Sequence, residues 1–317
     1  MVAGTIHSNS CSAITARGHV QELACNTPLP AICSSSASLS SAFASTDSST
    51  NWRTAINTGN ATIIGYRNKH SFRFQCIKYA SIPSRYSNSA YFTPSGSNVS
   101  ARSYGPQCMQ RSCSSGTISC SEDCLYLNIW TPPLHDTRYP HSKKKAVMLW
   151  VRGDGFVSGS GSDITFDGVA LASRGDVVLV TIKYQLGNFG FLALDGTSLT
   201  GNYGLKDQSI ALDWLRAHMD VFGGDKDKIT VFGQSAGAVS VRALLASPKA
   251  HSKFARAISM STPRGSNYAL TFSRYLSISE ATNRTSAIVN DTGCASAPHL
   301  TRRLKDERGY QTFTSSS

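Results

Sequence analysis

The sequence predicts an α/β fold, a largely parallel sheet covered by helices on both faces. Three observations predict it. Short apolar runs alternate with helical patterns between about Tyr126 and Ser261, and strands that alternate with helices build parallel sheets. One junction, "KITVFGQSAGAVSVRALL" from Lys228 to Leu245, passes from a strand-like run to a helix-like run across a single serine, Ser235. The chain has 317 residues, 40% of them hydrophobic, enough for one large core or two small ones.

Taken in order, residues 1–56 read as a Ser-rich, disordered leader, in which "CSSSASLSSAFASTDSST" carries no sustained strand or helix period. The first residues, "MVAGTIHSNSCSAITARG", lack the apolar core of a signal peptide. Residues 57–317 read as the folded domain. Within it, the polar stretch Ser84–Ser119 has no helix signal and is expected to be loop. Strands are expected at Tyr126–Trp130, Ala146–Val151 and Val177–Ile182. A helix over Leu205–Val221 sets Ile210, Leu212, Trp214, Leu215 and Met219 on or near one apolar face. Ile229–Phe232 follows as a short buried strand, Ala236–Leu245 as a helix and Ala257–Ser261 as another strand. No internal repeat is visible, and no run approaches the roughly 18 apolar residues that a membrane span needs.

The junction at Ser235 has the form of a nucleophile mount. A serine between strand and helix sits in a strained turn, so the positions two before and two after it must lack side chains. Gly233 and Gly237 meet that demand in the pattern G-x-S-x-G. The strain lifts the hydroxyl clear of the sheet. The Ala236 N–H then points where an oxyanion forms, and the helix N-terminus adds a favourable field.

The net charge of +12 comes from 31 Lys+Arg against 19 Asp+Glu. These basic residues are scattered. Lys143–Lys145 form one tight cluster, Arg302, Arg303 and Lys305 stand near the end, and neither aromatic interleaving nor a nucleic-acid motif accompanies them. The expectation is a basic surface and no nucleic-acid partner. Nine cysteines favour an oxidising compartment. Four N-x-S/T sequons, at Asn60, Asn98, Asn283 and Asn290, are glycosylation candidates. No cluster of His, Cys and carboxylates has ligand spacing, so no metal and no organic cofactor is implied.

Longer motifs surround the Ser235 turn. In chain order they are "SEDCLYLNIWTP" (Ser121–Pro132), "VMLWVRGDGFVSGSGS" (Val147–Ser162), "VVLVTIKYQLGNFGFLAL" (Val177–Leu194), "GNYGLKDQSIALDWLRAHMDVFGGD" (Gly201–Asp225) and "VFGGDKDKITVFGQSAG" (Val221–Gly237). Together they resemble the type B carboxylesterases, the cholinesterase-like branch of the α/β-hydrolases, and most of all the secreted fungal esterases and lipases. The resemblance runs from about Asn57 to Phe313. It implies an α/β-hydrolase fold with opening strands around Ala61–Gly65 and Arg73–Tyr79, secretion, and hydrolysis of a small-molecule ester or lipid. It implies Ser235 as nucleophile, and an oxyanion hole built by Ala236 with the run Arg152-Gly153-Asp154-Gly155, where the family carries a His-Gly-Gly-Gly type of run. It also implies a Cys108–Cys124 bridge; because Cys113 and Cys120 lie between these two, the sequence alone leaves the pairing open.

Against that pattern, Gly153 and Gly155 match, and Asp154 stands in place of the middle glycine. A Cβ there disfavours the backbone such a loop needs, and a carboxylate opposes the field the site requires. Cys76 and Lys78 stand where relatives show Gly and Pro, Gln185 where they carry an Arg that holds a structural ion pair, and Arg303 where a cysteine partner for Cys294 is expected. The triad of this fold follows the order Ser, Asp or Glu, His. The histidines beyond Ser235 are His251, expected on a surface helix, and His299, expected in a loop; neither lies in a family motif for the base. The expectation is therefore the N-terminal part of the fold, truncated after its nucleophile half. It would lack the catalytic acid and histidine, be inactive by itself, and expose a sheet edge open to self-association. The alternatives to an esterase are a non-catalytic cholinesterase-like protein and a degenerate fragment.

Overall fold

The apolar runs of the sequence take their places in one mixed sheet. The computed structural model describes residues 10–15, 19–28, 52–68, 71–94, 96, 98–110, 113, 119–132, 143–262 and 276–291. The chain forms two units, Met1–Ser36 and Ala37–Ser317. In the first, β1 (Ser10–Ile14) and β2 (Val20–Ala24) pair antiparallel, and a Cys11–Cys25 disulfide closes the hairpin. The stretch expected as a disordered leader thus holds a bridged hairpin. The residues of β2 are mostly exposed, so the disulfide holds this element where a core does not.

The second unit contains β3 (Arg53–Asn57), β4 (Thr62–Asn68), β5 (Ser71–Lys78), β6 (Asn98–Ser100), β7 (Tyr126–Thr131), β8 (Lys145–Val151), β9 (Val178–Ile182), β10 (Gly224–Gln234) and β11 (Arg256–Met260). Its helices are α1 (Val169–Gly175), α2 (Gly187–Phe191), α3 (Tyr203–His218), α4 (Ala236–Ala246) and α5 (Ile278–Asp291). The sheet runs β11-β10-β8-β9-β7-β5-β4-β3, with β6 also paired to β4. Pairing is parallel from β11 through β10 and β8 to β9, where α1 and α4 supply crossovers. It is antiparallel from β9 through β7, β5 and β4 to β3, where β3, β4 and β5 follow one another through short turns. β3 lies in the stretch read as leader and forms one border of the sheet.

Successive strand residues face opposite sides, and the two faces build separate cores. Leu127, Ile129, Val147, Leu149, Val178, Val180, Ile229 and Val231 are fully buried on one face, against Ile210, Leu212, Trp214 and Leu215 of α3, Met219, and Val241 of α4. Trp130 and Leu179 form the second cluster with Ala172 of α1. The ends of α5 and the segment after α2 meet in a third, where Val289 packs with Tyr86, Leu192, Leu199 and Tyr203. At the other border, β11 has β10 as its one neighbour among the described residues, and Ile258 and Met260 are exposed. Cys108 of the expected loop pairs with Cys124 just beyond it and, nested inside, Cys113 pairs with Cys120. Cys294, His299 and Arg303 lie outside the described residues. The four sequon asparagines, Asn60, Asn98, Asn283 and Asn290, are all exposed. Among the described residues no helix is long and apolar enough to cross a membrane, and no group of three metal-binding side chains comes together.

Candidate active site

β10 ends at Gln234 and α4 begins at Ala236; between them Ser235 takes φ +55° and ψ −122°. That region is close to forbidden for any residue with a Cβ, and it persists only where the surroundings over-determine it. Here they do. The Ser235 N–H donates to the Met260 carbonyl at 3.1 Å, and its own carbonyl accepts from the Val239 N–H at 3.1 Å. A Cβ on Gly237 would lie 2.1 Å from the Val151 carbonyl oxygen, and one on Gly233 would lie 2.6 Å from the Gly237 backbone. The two glycines of G-x-S-x-G are thus required because the end of β8 and the start of α4 pass in contact beneath the serine. Ser235 itself is half-buried. Replacing Ser235 by glycine is expected to raise the melting temperature by several degrees, since relief of such a backbone is worth about 1–3 kcal/mol. A melting temperature that stays level or falls would show that the turn stores no strain.

The run Arg152-Gly153-Asp154-Gly155 leaves β8 beside this turn. A Cβ on Gly153 would lie 2.4 Å from the Gln234 carbonyl oxygen and 3.3 Å from the Ser235 Cβ, so the two segments touch. Asp154, Gly155 and Phe156 have φ of +79°, +65° and +65°. Asp154 therefore adopts the left-handed backbone that a glycine would take, which aspartate tolerates better than most residues. What remains of the substitution is its charge. The exposed carboxylate accepts from the Ser158 hydroxyl at 2.7 Å and lies 3.9 Å from Arg152 Nη2. Among the described residues, the N–H groups of Gly153, Asp154, Gly155 and Ala236 have no acceptor.

Arg152 does not point into the site. Its guanidinium pairs with Asp163 and lies 4.9 Å over the Phe166 ring, and its carbonyl accepts from the Tyr184 hydroxyl at 2.7 Å. Burial pushes the Asp163 carboxyl up, but hydrogen bonds from Thr165 and Arg152 outweigh this and hold it below the usual carboxylate range. Burial raises the Tyr184 hydroxyl, which therefore stays a donor. The Phe156 carbonyl accepts from the Gly187 N–H at 2.7 Å. Sequence reasoning missed Tyr184, Asp163 and Ser158, because the Tyr184 tie spans 32 positions and none of the three carries a local pattern.

No described histidine or carboxylate is hydrogen-bonded to the Ser235 hydroxyl. His251 lies in an exposed turn with Nδ1 3.1 Å from the Ser247 carbonyl oxygen, and His218 Nε2 lies 2.9 Å from the Tyr91 hydroxyl. Just past the end of β9 the Gln185 N–H donates to Asp207 at 2.9 Å, its Nε2 donates at 3.2 and 3.3 Å, and Ser89 donates at 2.5 Å. Asp207 is fully buried, and among the described residues no ion pair reaches it. Burial pushes its carboxyl up to about 6, while the bonds from Ser89 and Gln185 pull the other way. The ion pair implied for position 185 is thus replaced by a neutral amide on a buried acid. Cys76 has φ +60°, the left-handed backbone that favours glycine, and Lys78 pairs with Asp123 at 2.7 Å.

The sequence profile described as "Carboxylesterase family" matches residues 53–308. The para-nitrobenzyl esterase of Bacillus subtilis is 48% identical over 140 residues, which are 44% of this chain and 27% of that protein. The acetylcholinesterase of Danio rerio is 42% identical over 175 residues, 55% of this chain and 26% of its own length. Among solved structures, a Geobacillus stearothermophilus carboxylesterase superposes with a TM-score of 0.69 at 35% identity, over 82% of this chain and 52% of its own. This chain therefore spans about half of that solved relative and a smaller share of the two curated ones.

Proposed function

The chain belongs to the carboxylesterase family, and on that premise we propose that its site is built for the hydrolysis of carboxylic esters through Ser235. The observation that carries the reading is the pairing of Ser235, held at φ +55°, with the unengaged N–H groups of Gly153, Asp154, Gly155 and Ala236 beside it. The hydroxyl oxygen attacks the ester carbonyl, and the oxygen that takes the charge meets those N–H groups. The tetrahedral adduct then expels the alcohol, and water releases the acid from the acyl-serine. The proton of the hydroxyl needs a base, and no described residue is placed to take it.

The substrate class under this reading is a small-molecule ester or lipid. Secretion belongs to the same reading, supported by three disulfides among the described residues and by the four exposed sequons. Self-association through β11 is also part of it, since an edge with exposed Ile258 and Met260 invites pairing with another chain. A second reading, a non-catalytic member of the family, is favoured by one observation: no described side chain engages the Ser235 hydroxyl.

Hydrolysis of p-nitrophenyl acetate by the 317-residue chain separates the two. A serine without its base contributes almost nothing, whereas an oxyanion hole acts alone. Because no described residue is placed to take the Ser235 proton, the chain is expected to exceed water by about ten- to a thousandfold through the oxyanion N–H groups alone, and Ser235→Ala to leave that rate unchanged. A rate no higher than that of the heat-unfolded chain would replace the esterase reading by the non-catalytic one. Fast turnover lost in Ser235→Ala would show instead that the chain carries a working base.

A further inference from the structure

Three successive positive φ values, at Asp154, Gly155 and Phe156, need support from every side. Tyr184 and Gly187 hold the Arg152 and Phe156 carbonyls. The far end of the loop is Gly159, with φ +100°, where a Cβ would lie 2.6 Å from Arg152 Nε, so this residue seats the first side chain of the run. Gly159 is clasped on both backbone groups by one side chain. Its N–H donates to Gln110 Oε1 at 2.8 Å, and Gln110 Nε2 donates to its carbonyl at 3.3 Å. The same Nε2 reaches Gln107 Oε1 at 3.1 Å and the Cys108 carbonyl at 3.2 Å.

Gln110 follows the short strand Gln107–Cys108, which pairs with Cys120–Ser121, and its backbone is fixed on both sides. Cys108, two positions before, is bridged to Cys124, and Cys113, three positions after, is bridged to Cys120. The Cys113 sulfur lies 3.1 Å from the Gln110 carbonyl oxygen; being bonded to another sulfur it cannot donate, so the contact is packing. Taking 152–155 as the oxyanion loop, which rests on the functional reading above, we propose that Gln110 is a positioning residue for that loop and that the inner disulfide Cys113–Cys120 is its brace. The side chain touches neither Ser235 nor the four free N–H groups; it acts through Gly159 and Arg152.

The test uses the 317-residue chain with Gln110→Ala, with Gln110→Glu, and with Cys113→Ser and Cys120→Ser together. Hydrogen exchange is read at the amides of Val157, Ser158 and Gly187, which donate to the Asp154 and Phe156 carbonyls and none of which Gln110 contacts. Exchange there is expected to rise about tenfold or more in Gln110→Ala at an unchanged melting temperature, and in the double serine variant at a melting temperature lowered by the loss of the disulfide. Gln110→Glu keeps the acceptor for the Gly159 N–H and should fall between. The rate that Asp154→Gly gains on p-nitrophenyl acetate is expected to collapse when Gln110→Ala is added, a coupling that a stitch between two surface loops would not produce. Unchanged exchange at these three amides in both the Ala and the double serine variants overturns the proposal, as does a rise shared equally by β8, β9 and β10. If Asp154→Gly gains nothing with Gln110 intact, the esterase reading has failed, and the exchange result still decides the clasp.

Discussion

Replacing Asp154 by glycine is expected to raise the hydrolysis of p-nitrophenyl acetate by about ten- to a hundredfold, and to do so equally in a Ser235→Ala background. A carboxylate about 6 Å from a developing oxyanion, at an effective dielectric of about 20, opposes it by about 3 kcal/mol, or about a hundredfold. The Asp154 side chain is 54% exposed and accepts from Ser158, so solvent screens part of that effect and the lower figure bounds the range. Because Asp154 already holds the glycine-like backbone at φ +79°, the N–H groups of the loop stand much as they would with glycine, and the charge is what the variant removes. Asp154→Asn separates the two causes. Asparagine tolerates a left-handed backbone and carries no charge, so it should recover most of the gain. A gain seen with glycine alone would assign the effect to the backbone, and no gain with either would show that the loop does not stabilise an oxyanion.

Replacing Gln185 by arginine is expected to raise the melting temperature at pH 7.5 by about 5–10 °C. Asp207 is buried beside Gln185 without an ion pair among the described residues, and an uncompensated buried charge costs about 3–5 kcal/mol. The sign with pH follows from the carboxyl standing at about 6, above its ordinary 3.8. The folded chain binds this proton more tightly than the unfolded one. The group's contribution to stability is therefore present at low pH and is lost as pH rises from about 4 through about 6. A guanidinium at position 185 reverses this: Asp207 falls below its ordinary value, and the contribution is present at neutral pH and lost on acidification. Melting curves at pH 4.5 and 7.5 should show the variant gaining at the higher pH and gaining little or losing at the lower. A variant less stable than wild type at both values would mean that the Ser89 and Gln185 bonds already satisfy the acid.

The two parts of the sheet differ in how plainly the sequence announces them. Strands buried on both faces read as continuous apolar runs, and Tyr126–Trp130 was placed within one residue of β7, Val177–Ile182 within one of β9. β3 is five residues long with alternating exposure, and it follows a Ser-rich stretch that hides it. α5, "ISEATNRTSAIVND", buries little besides Val289 and Thr285, so its apolar stripe is too thin to stand out. At the site, the elbow is local, and five residues specify it. The left-handed backbone at Asp154, the Tyr184 bond to Arg152 and the Asp207 cluster all join residues distant in the chain. In each case the conformation is imposed by a partner that no local pattern names.

The nesting of Cys113–Cys120 inside Cys108–Cys124 bears on how the chain is made. At about 5–20 residues per second the ribosome adds the residues from Cys108 to Cys124 in about 1–3 s, no longer than the seconds to hours that a disulfide takes to form. Of these four thiols the first two to emerge, Cys108 and Cys113, are not native partners. All four are therefore present while pairing proceeds, and wherever Cys108 and Cys113 pair, the native bridges are reached when the later thiols displace them by exchange. Oxidation conditions thus matter to the nest: a medium that only oxidises keeps any Cys108–Cys113 pair, and one that also exchanges thiols releases it to the native bridges.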